Sequence, residues 1–315
     1  MNNMNLSGIR KTMKHNIRYI AGRLIAIGLC VAMLMTAAVP AFAYTNNGAY
    51  IDKFGDFPAR PNSAYEFVDR LYKGLLNREP DQAGLDSWVM VLAQRREDAR
   101  TVIVKFLRSS EFERLTRNNE LHFIYALYKT VYGSLDTLSR KDAIEWKTML
   151  ESKLWTRDRV IKKLLNAGEF LEICLSARVD MGDPFELSSY TDKIESVTKL
   201  ILNLNHEFLG KSADRIDRKD IERWCMDVYE RRIDVESLIM DFFKKGGWET
   251  KNVSEPELIH TMYRAVLGRR ADPSGLINCS KALRAGRSRT LVLRDIIRSS
   301  EFLRRYQIYA IIVYK

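Results

Sequence analysis

The feature that most constrains this chain is a register that recurs four times. With Trp88 taken as an origin, Trp146, Trp224 and Cys279 stand at matching places. Seven residues before each come Asp81, Ser139, Asp217 and Asp272, and three before come Leu85, Ala143, Ile221 and Leu276. Beyond each by 24, 24, 24 and 23 residues stand Phe112, Phe170, Trp248 and Phe302. A period of this length marks a repeat architecture, in which a unit too small to bury its own apolar face packs on its neighbours.

Each copy divides into three expected helices. The first ends at Asn77, Gly133, Gly210 and Gly268, residue types that tolerate the left-handed backbone closing a helix. Leu71, Leu127, Leu204 and Met262 lie a turn earlier, and the pairs Leu75-Leu76, Val131-Tyr132, Phe208-Leu209 and Val266-Leu267 follow them, the face of a helix packed on one side. Ser63-x-x-Glu66 and Ser254-x-x-Glu257 read as capping boxes. Nine, six and five residues before each closing aromatic every position is apolar: Ile103, Phe106, Leu107 in the first copy and Leu293, Ile296, Ile297 in the fourth. Strand alternation of comparable length is absent from the sequence after residue 43. The expectation is all-α: a tandem array of four three-helix units.

The expected boundaries are 1–43 signal peptide, 44–62 flexible leader, 63–118 first repeat, 119–176 second repeat, 177–193 linker, 194–250 divergent third repeat, and 251–315 fourth repeat with an apolar tail. Gly182, Asp183 and Pro184 mark the linker's turn, and a hinge is expected over residues 177–192. The signal peptide rests on Arg10, Lys11, Lys14, Arg18 and Arg23 before the run "LIAIGLCVAMLMTAAVPAFA", which ends in an A-x-A site at Ala41-Phe42-Ala43. Cleavage before Tyr44 is expected; an uncleaved anchor is the alternative, because the run nearly reaches spanning length. Leu29 before Cys30 is too large for lipid attachment to a lipoprotein signal. The signal peptide carries five of the 51 basic residues and no acid, which leaves 46 bases against 40 acids, a net of +6. These charges are interspersed, as on solvated helix faces, so nucleic acid is not an expected partner. Cys174, Cys225 and Cys279 are odd in number and lack metal or redox spacing, which reads as small core residues rather than a disulfide framework.

The loops "NREPDQAGLDSW" (77–88) and "GRRADPSGLINC" (268–279) look like acidic sites used twice. Their aspartates, however, stand where a helix begins, and the second copy has Ser139 there, a good N-cap and a poor calcium ligand. The loops are therefore expected to be turns, with calcium binding as the minor alternative. Trp88, Trp146 and Trp224 are expected in the core.

With "LYKGLLNREPDQAGLDSW…FLRSSEF" and "MYRAVLGRRADPSGLINC…IIRSSEF" laid out, the chain resembles a bacterial domain of unknown function, family 4214 (DUF4214), itself similar to the helical linker domains of phycobilisomes. The match is strong over 67–112 and 259–302 and weaker over 123–170, while 199–248 keeps only the apolar skeleton. The resemblance implies helical modules in exported or surface-associated bacterial proteins. It implies no activity and no functional residues, and phycobiliprotein binding is not carried over.

Enzyme motifs are missing. His122, His206 and His260 share no register and form no HExxH; GxSxG and P-loop patterns are absent; Gly246-Gly247 reads as a helix stop. Glu111, Glu169 and Glu301 recur before the closing aromatic but lie in separate copies, where capping or an ion pair to a neighbouring arginine is the better reading. No catalytic, cofactor or metal residue is assigned. The expected function is a non-catalytic interaction or scaffolding module that binds protein or a cell-surface polymer, with no stable membrane insertion once the signal is cleaved. The alternative is a cell-wall hydrolase, or a polyanion- or glycan-binding protein, with an unrecognised site.

Overall fold

The computed structural model describes residues 52–306 of the 315. The expected signal peptide and the tail beyond Tyr306 lie outside them. Among the described residues there are sixteen α-helices, one short 3-10 turn and no strand. No helix among them is long and apolar enough to cross a membrane.

The helices run α1 Ala64–Leu76, α2 Gln82–Ala93, α3 Ala99–Leu107 and α4 Ser110–Leu115, then α5 Glu120–Tyr132, α6 Arg140–Glu151, α7 Arg157–Leu165 and α8 Gly168–Ala177. A four-residue helix α9 Tyr190–Lys193 precedes α10 Glu195–Leu209, α11 Arg218–Tyr229 and α12 Val235–Lys245; last come α13 Glu255–Leu267, α14 Pro273–Arg284, α15 Arg289–Ile297 and α16 Ser300–Arg305. The long first helices close as their last residues require. Asn77, Gly210 and Gly268 adopt left-handed φ of 53°, 64° and 64°, and Gly133 has φ 91°.

The expected third helix is corrected by the structure. It breaks after Leu107, Leu165 and Ile297, and a separate short helix carries Phe112, Phe170 and Phe302. Ser109 and Ser299 cap these short helices, accepting from the N–H of Phe112 at 3.2 Å and of Phe302 at 3.3 Å. In the third copy Gly247, at φ 69°, turns the chain instead, and Trp248 reaches the core without a helix. All four closing aromatics are buried, as are all twelve apolar positions that precede them in register.

Burial falls into two clusters. One runs from Phe67 to Val179 around α1 and α5; the other runs from Ile194 to Tyr306 around α10 and α13. The segment between them is no free hinge. Ala99 donates to the Asp180 carbonyl at 2.7 Å, and the Asn166 amide clasps the Phe185 backbone in both directions, at 2.9 and 3.0 Å. The buried Asp192 carboxylate accepts from Thr156 N at 2.9 Å and from the Thr156 hydroxyl, so a residue ahead of α10 caps α7. Arg218 of α11 donates back to the carbonyls of Trp155 and Leu150.

Residues 52–62 differ from the flexible leader expected there. They cross α1 and α5 as an extended segment, with Phe57 N–H donating to Gly133 O at 2.8 Å, Asp52 paired with Lys129, and Pro58 O accepting from Arg70. The Phe57 ring packs against both cations, its centroid 5.6 Å from Arg70 and 4.9 Å from Lys129.

Candidate functional site

The twice-used acidic loop is built from caps. Asp81 accepts from Gly84 N at 2.8 Å and Asp272 from Gly275 N at 2.9 Å; Ser139 accepts from Asp142 N at 3.0 Å and Asp217 from Lys219 N at 2.9 Å. Each relieves one of the N–H groups that a helix start leaves free. Around the first and last loops the remaining motif residues close on one another. Arg78 makes two hydrogen bonds to Glu111, at 2.7 and 3.2 Å, and stacks over Tyr72 at 4.9 Å. Arg269 grips Glu301 in the same way, with one bond of 2.8 Å, and lies 5.3 Å from the Tyr263 ring. That arginine holds the Glu301 carboxyl below its ordinary pKa. The tyrosine hydroxyl completes the set, because it fills the place where a Cβ on Gly84 or Gly275 would stand. The clamp joins the end of the first helix to the short fourth helix and leaves no carboxylate pair for acid–base work.

Other residues with chemical potential are scattered. His122 on α5 is buried, and burial followed by the nearby Arg157 charge lowers its pKa; His206 on α10 is exposed; His260 on α13 is half-buried, its pKa also lowered chiefly by burial. Among the described residues no group of three or more His, Cys, Asp or Glu is placed to hold a metal ion. Burial pushes the Cys174 and Cys225 thiols up to about 12, which removes the thiolate a nucleophile needs. Cys279, expected in the core, is half-buried.

The tryptophans divide. Trp146 is 7% exposed and belongs to the core. Trp88 and Trp224 are half-buried, a correction to the expectation, and pack at the margin against Phe106 at 5.6 Å and Phe242 at 5.0 Å.

The described residues line several concavities, two of which are large. One of about 710 Å³ lies between α3 and residues 183–186, and its charged lining is tied internally, as in Lys105 with Glu97. The other, of about 630 Å³, opens on α11 at the junction of the two cores, lined by Thr156, Ser189, Arg218, Lys219, Glu222 and Arg223 among others. Glu222 accepts from the Ser189 hydroxyl at 2.6 Å, from Tyr190 N at 2.7 Å, and from Thr191 N and Oγ1 at 3.0 and 2.7 Å. Burial pushes its pKa up, the donors together pull it down further, and the net direction is down. Desolvation lowers the pKa of Arg218, which spends its donors on backbone carbonyls. The sequence pattern assigns these junction residues no role: Thr156 recurs only as a helix N-cap, like Asp98, Asp234 and Ser288, and nothing in the register brings it to Asp192.

Fold and site together define an all-helical repeat protein whose recurring polar residues hold its helices in place. The family model of a domain of unknown function, DUF4214, matches two stretches of the chain, residues 56–116 and 242–306, which are similar to that domain. The second match starts inside α12 and so includes the end of the divergent third copy. No curated protein matches the chain.

Proposed function

We propose that this protein is an exported, non-catalytic array of four related helical units that serves as an interaction or scaffolding module at the bacterial cell surface or in the extracellular space. The observation that carries the reading is the fate of the repeated polar residues. Asp81 and Asp272 are spent on helix caps, and Arg78–Glu111 and Arg269–Glu301 on internal clamps, so the shared motif serves folding. Export is supported by the basic, apolar and A-x-A pattern of residues 10–43. The partner is a protein, and an anionic surface polymer is the outcome that the protease step below would reveal.

The test has two parts. Material secreted by a bacterial host should begin at Tyr44 on N-terminal sequencing. The chain 44–315 should be retained on isolated cell envelope, and protease treatment of that envelope should abolish retention. Retention that survives protease would move the reading to a polymer, and no retention on any envelope would overturn the surface role. Turnover of purified cell-wall material by the same preparation would overturn the non-catalytic assignment.

A further inference from the structure

The groove between α1 and α5 lies under residues 52–62, and from α1 the Glu66 carboxylate acts on Arg70. Its floor holds two buried cations, Arg70 and Lys129, exposed by 3% and 1%. Among the described residues Lys129 has one carboxylate within ion-pair reach, Asp52 of the overlying segment. Arg70 has none and donates to the carbonyls of Thr130, Val131 and Pro58. With residues 52–62 in place Asp52 neutralises Lys129, and an occupant that buried Lys129 in their stead would have to bring an anion of its own.

The fold itself does not demand the arrangement. Two residues beyond the shared Leu71, Leu204 and Met262, the other copies place Lys73, His206 and Arg264 where the second has Lys129. Each of those finds its acid within the helices or the loops that join them: Lys73 with Asp69 and Glu79, His206 with Glu207, Arg264 with Glu207 and Glu257. Of the four, Lys129 takes its acid from an extended segment. Residues 52–62 are mostly exposed, and Phe57 N–H to Gly133 O is their one backbone–backbone hydrogen bond to the helices among the described residues. Gly133 gives the backbone room to lie flat, since a Cβ there would come within 2.8 Å of Phe57 O. Segments held by few contacts open at the low end of the local stability range.

We propose that the α1–α5 groove is a clasp for an extended acidic–aromatic peptide, occupied in cis by residues 52–62 and opened to a partner protein whose segment presents a carboxylate five residues ahead of an aromatic ring. Asp52 and Phe57 define that spacing. The proposal deepens the interaction reading by naming the partner's chemistry. Its test is carried out in solution, so its failure leaves envelope retention untouched, and the reverse holds too.

The probe is a fluorescein-labelled peptide of residues 52–62, titrated by anisotropy into the whole chain and into an Asp52→Asn, Phe57→Ala variant whose own segment is weakened. The variant should bind at least about tenfold tighter than the unaltered chain, because an occupied site reduces apparent affinity by the fraction that is free. A peptide carrying Asp52→Asn should lose at least about tenfold in affinity, the usual scale of a hydrogen bond to a charged group. If the variant keeps its helical circular dichroism and binds no peptide, or binds both peptides alike, the clasp is refuted. Hydrogen exchange on the unaltered chain decides independently, even where the variant fails to fold. The Phe57 amide should exchange at least about a hundredfold faster than that of Leu127, as expected for local opening. Equal rates would make the segment a permanent part of the fold and end the proposal.

Discussion

Tyr72 and Gly84 occupy one space between them. A Cβ on Gly84 would come within 2.5 Å of the Tyr72 hydroxyl, and Gly275 meets Tyr263 in the same way. Where the glycine is absent the tyrosine has changed too: Tyr128 turns its hydroxyl to Thr137 at 2.8 Å, and the third copy has Asn205. Gly84→Ala should therefore cost roughly 1–3 kcal/mol, the range for overpacking a filled site. Tyr72→Phe added to it should recover part of the loss. Urea denaturation of the two single variants and the double checks this, and losses that merely add would refute the shared-space account. Asp81 and Asp272 were legible as caps, because capping needs only a residue type at a position. The role of Gly84 was not, because a glycine that makes room for a hydroxyl twelve residues away reads like any turn glycine. The half-burial of Trp88 and Trp224 was hidden for a related reason: an apolar stripe shows which side of a helix faces inward, and says nothing of how much lies above it.

At the scale of the elements, the closing aromatics held a signal that the reading of one continuous third helix passed over. An α-helix turns about 100° per residue, so a position nine residues on lies on the opposite side of the cylinder. Phe112 cannot share a buried face with Ile103 unless the helix breaks between them, and it does, at Arg108 and Ser109. The stripe was read correctly and its phase was not. The capping carboxylate of Glu222 gives a second prediction at this scale. Its folded pKa lies below the ordinary 4.5. Its stabilising contribution is then full above 4.5 and is lost as the pH falls through the folded value. Glu222→Gln should lower the melting temperature at pH 7, and the gap from the unaltered chain should close as the pH is taken from 4.5 down through the folded value. A gap that stays constant from pH 7 to pH 3 would show that the four donors are not neutralised by that charge.

Across the whole molecule, the two buried clusters follow the sequence closely, since the linker composition and the repeat register both divide the chain near residue 185. What joins the clusters was not legible. Thr156 and Arg218 stand in the repeat register, Thr156 as the N-cap of α7 like Asp98, Asp234 and Ser288, but the register says nothing of the partners they find, because a buried carboxylate reaching a helix start from a distant segment is fixed only by three-dimensional proximity. The result is a pair of cores laced at their junction. Residues 52–62 stand apart from that lacing, and they give the molecule an uneven response to tension. Their attachments follow one another along eleven residues, at Asp52, Phe57, Pro58 and Arg60. A pull applied at residue 52 loads them singly, as a peel, while the helices behind resist together. Stretched between handles at residues 52 and 306, the protein should lengthen first by a small low-force step of up to roughly 40 Å, the reach of eleven extended residues. The cores should then give way at higher force, and a trace without the early step would place the segment under the same load as the helices it crosses.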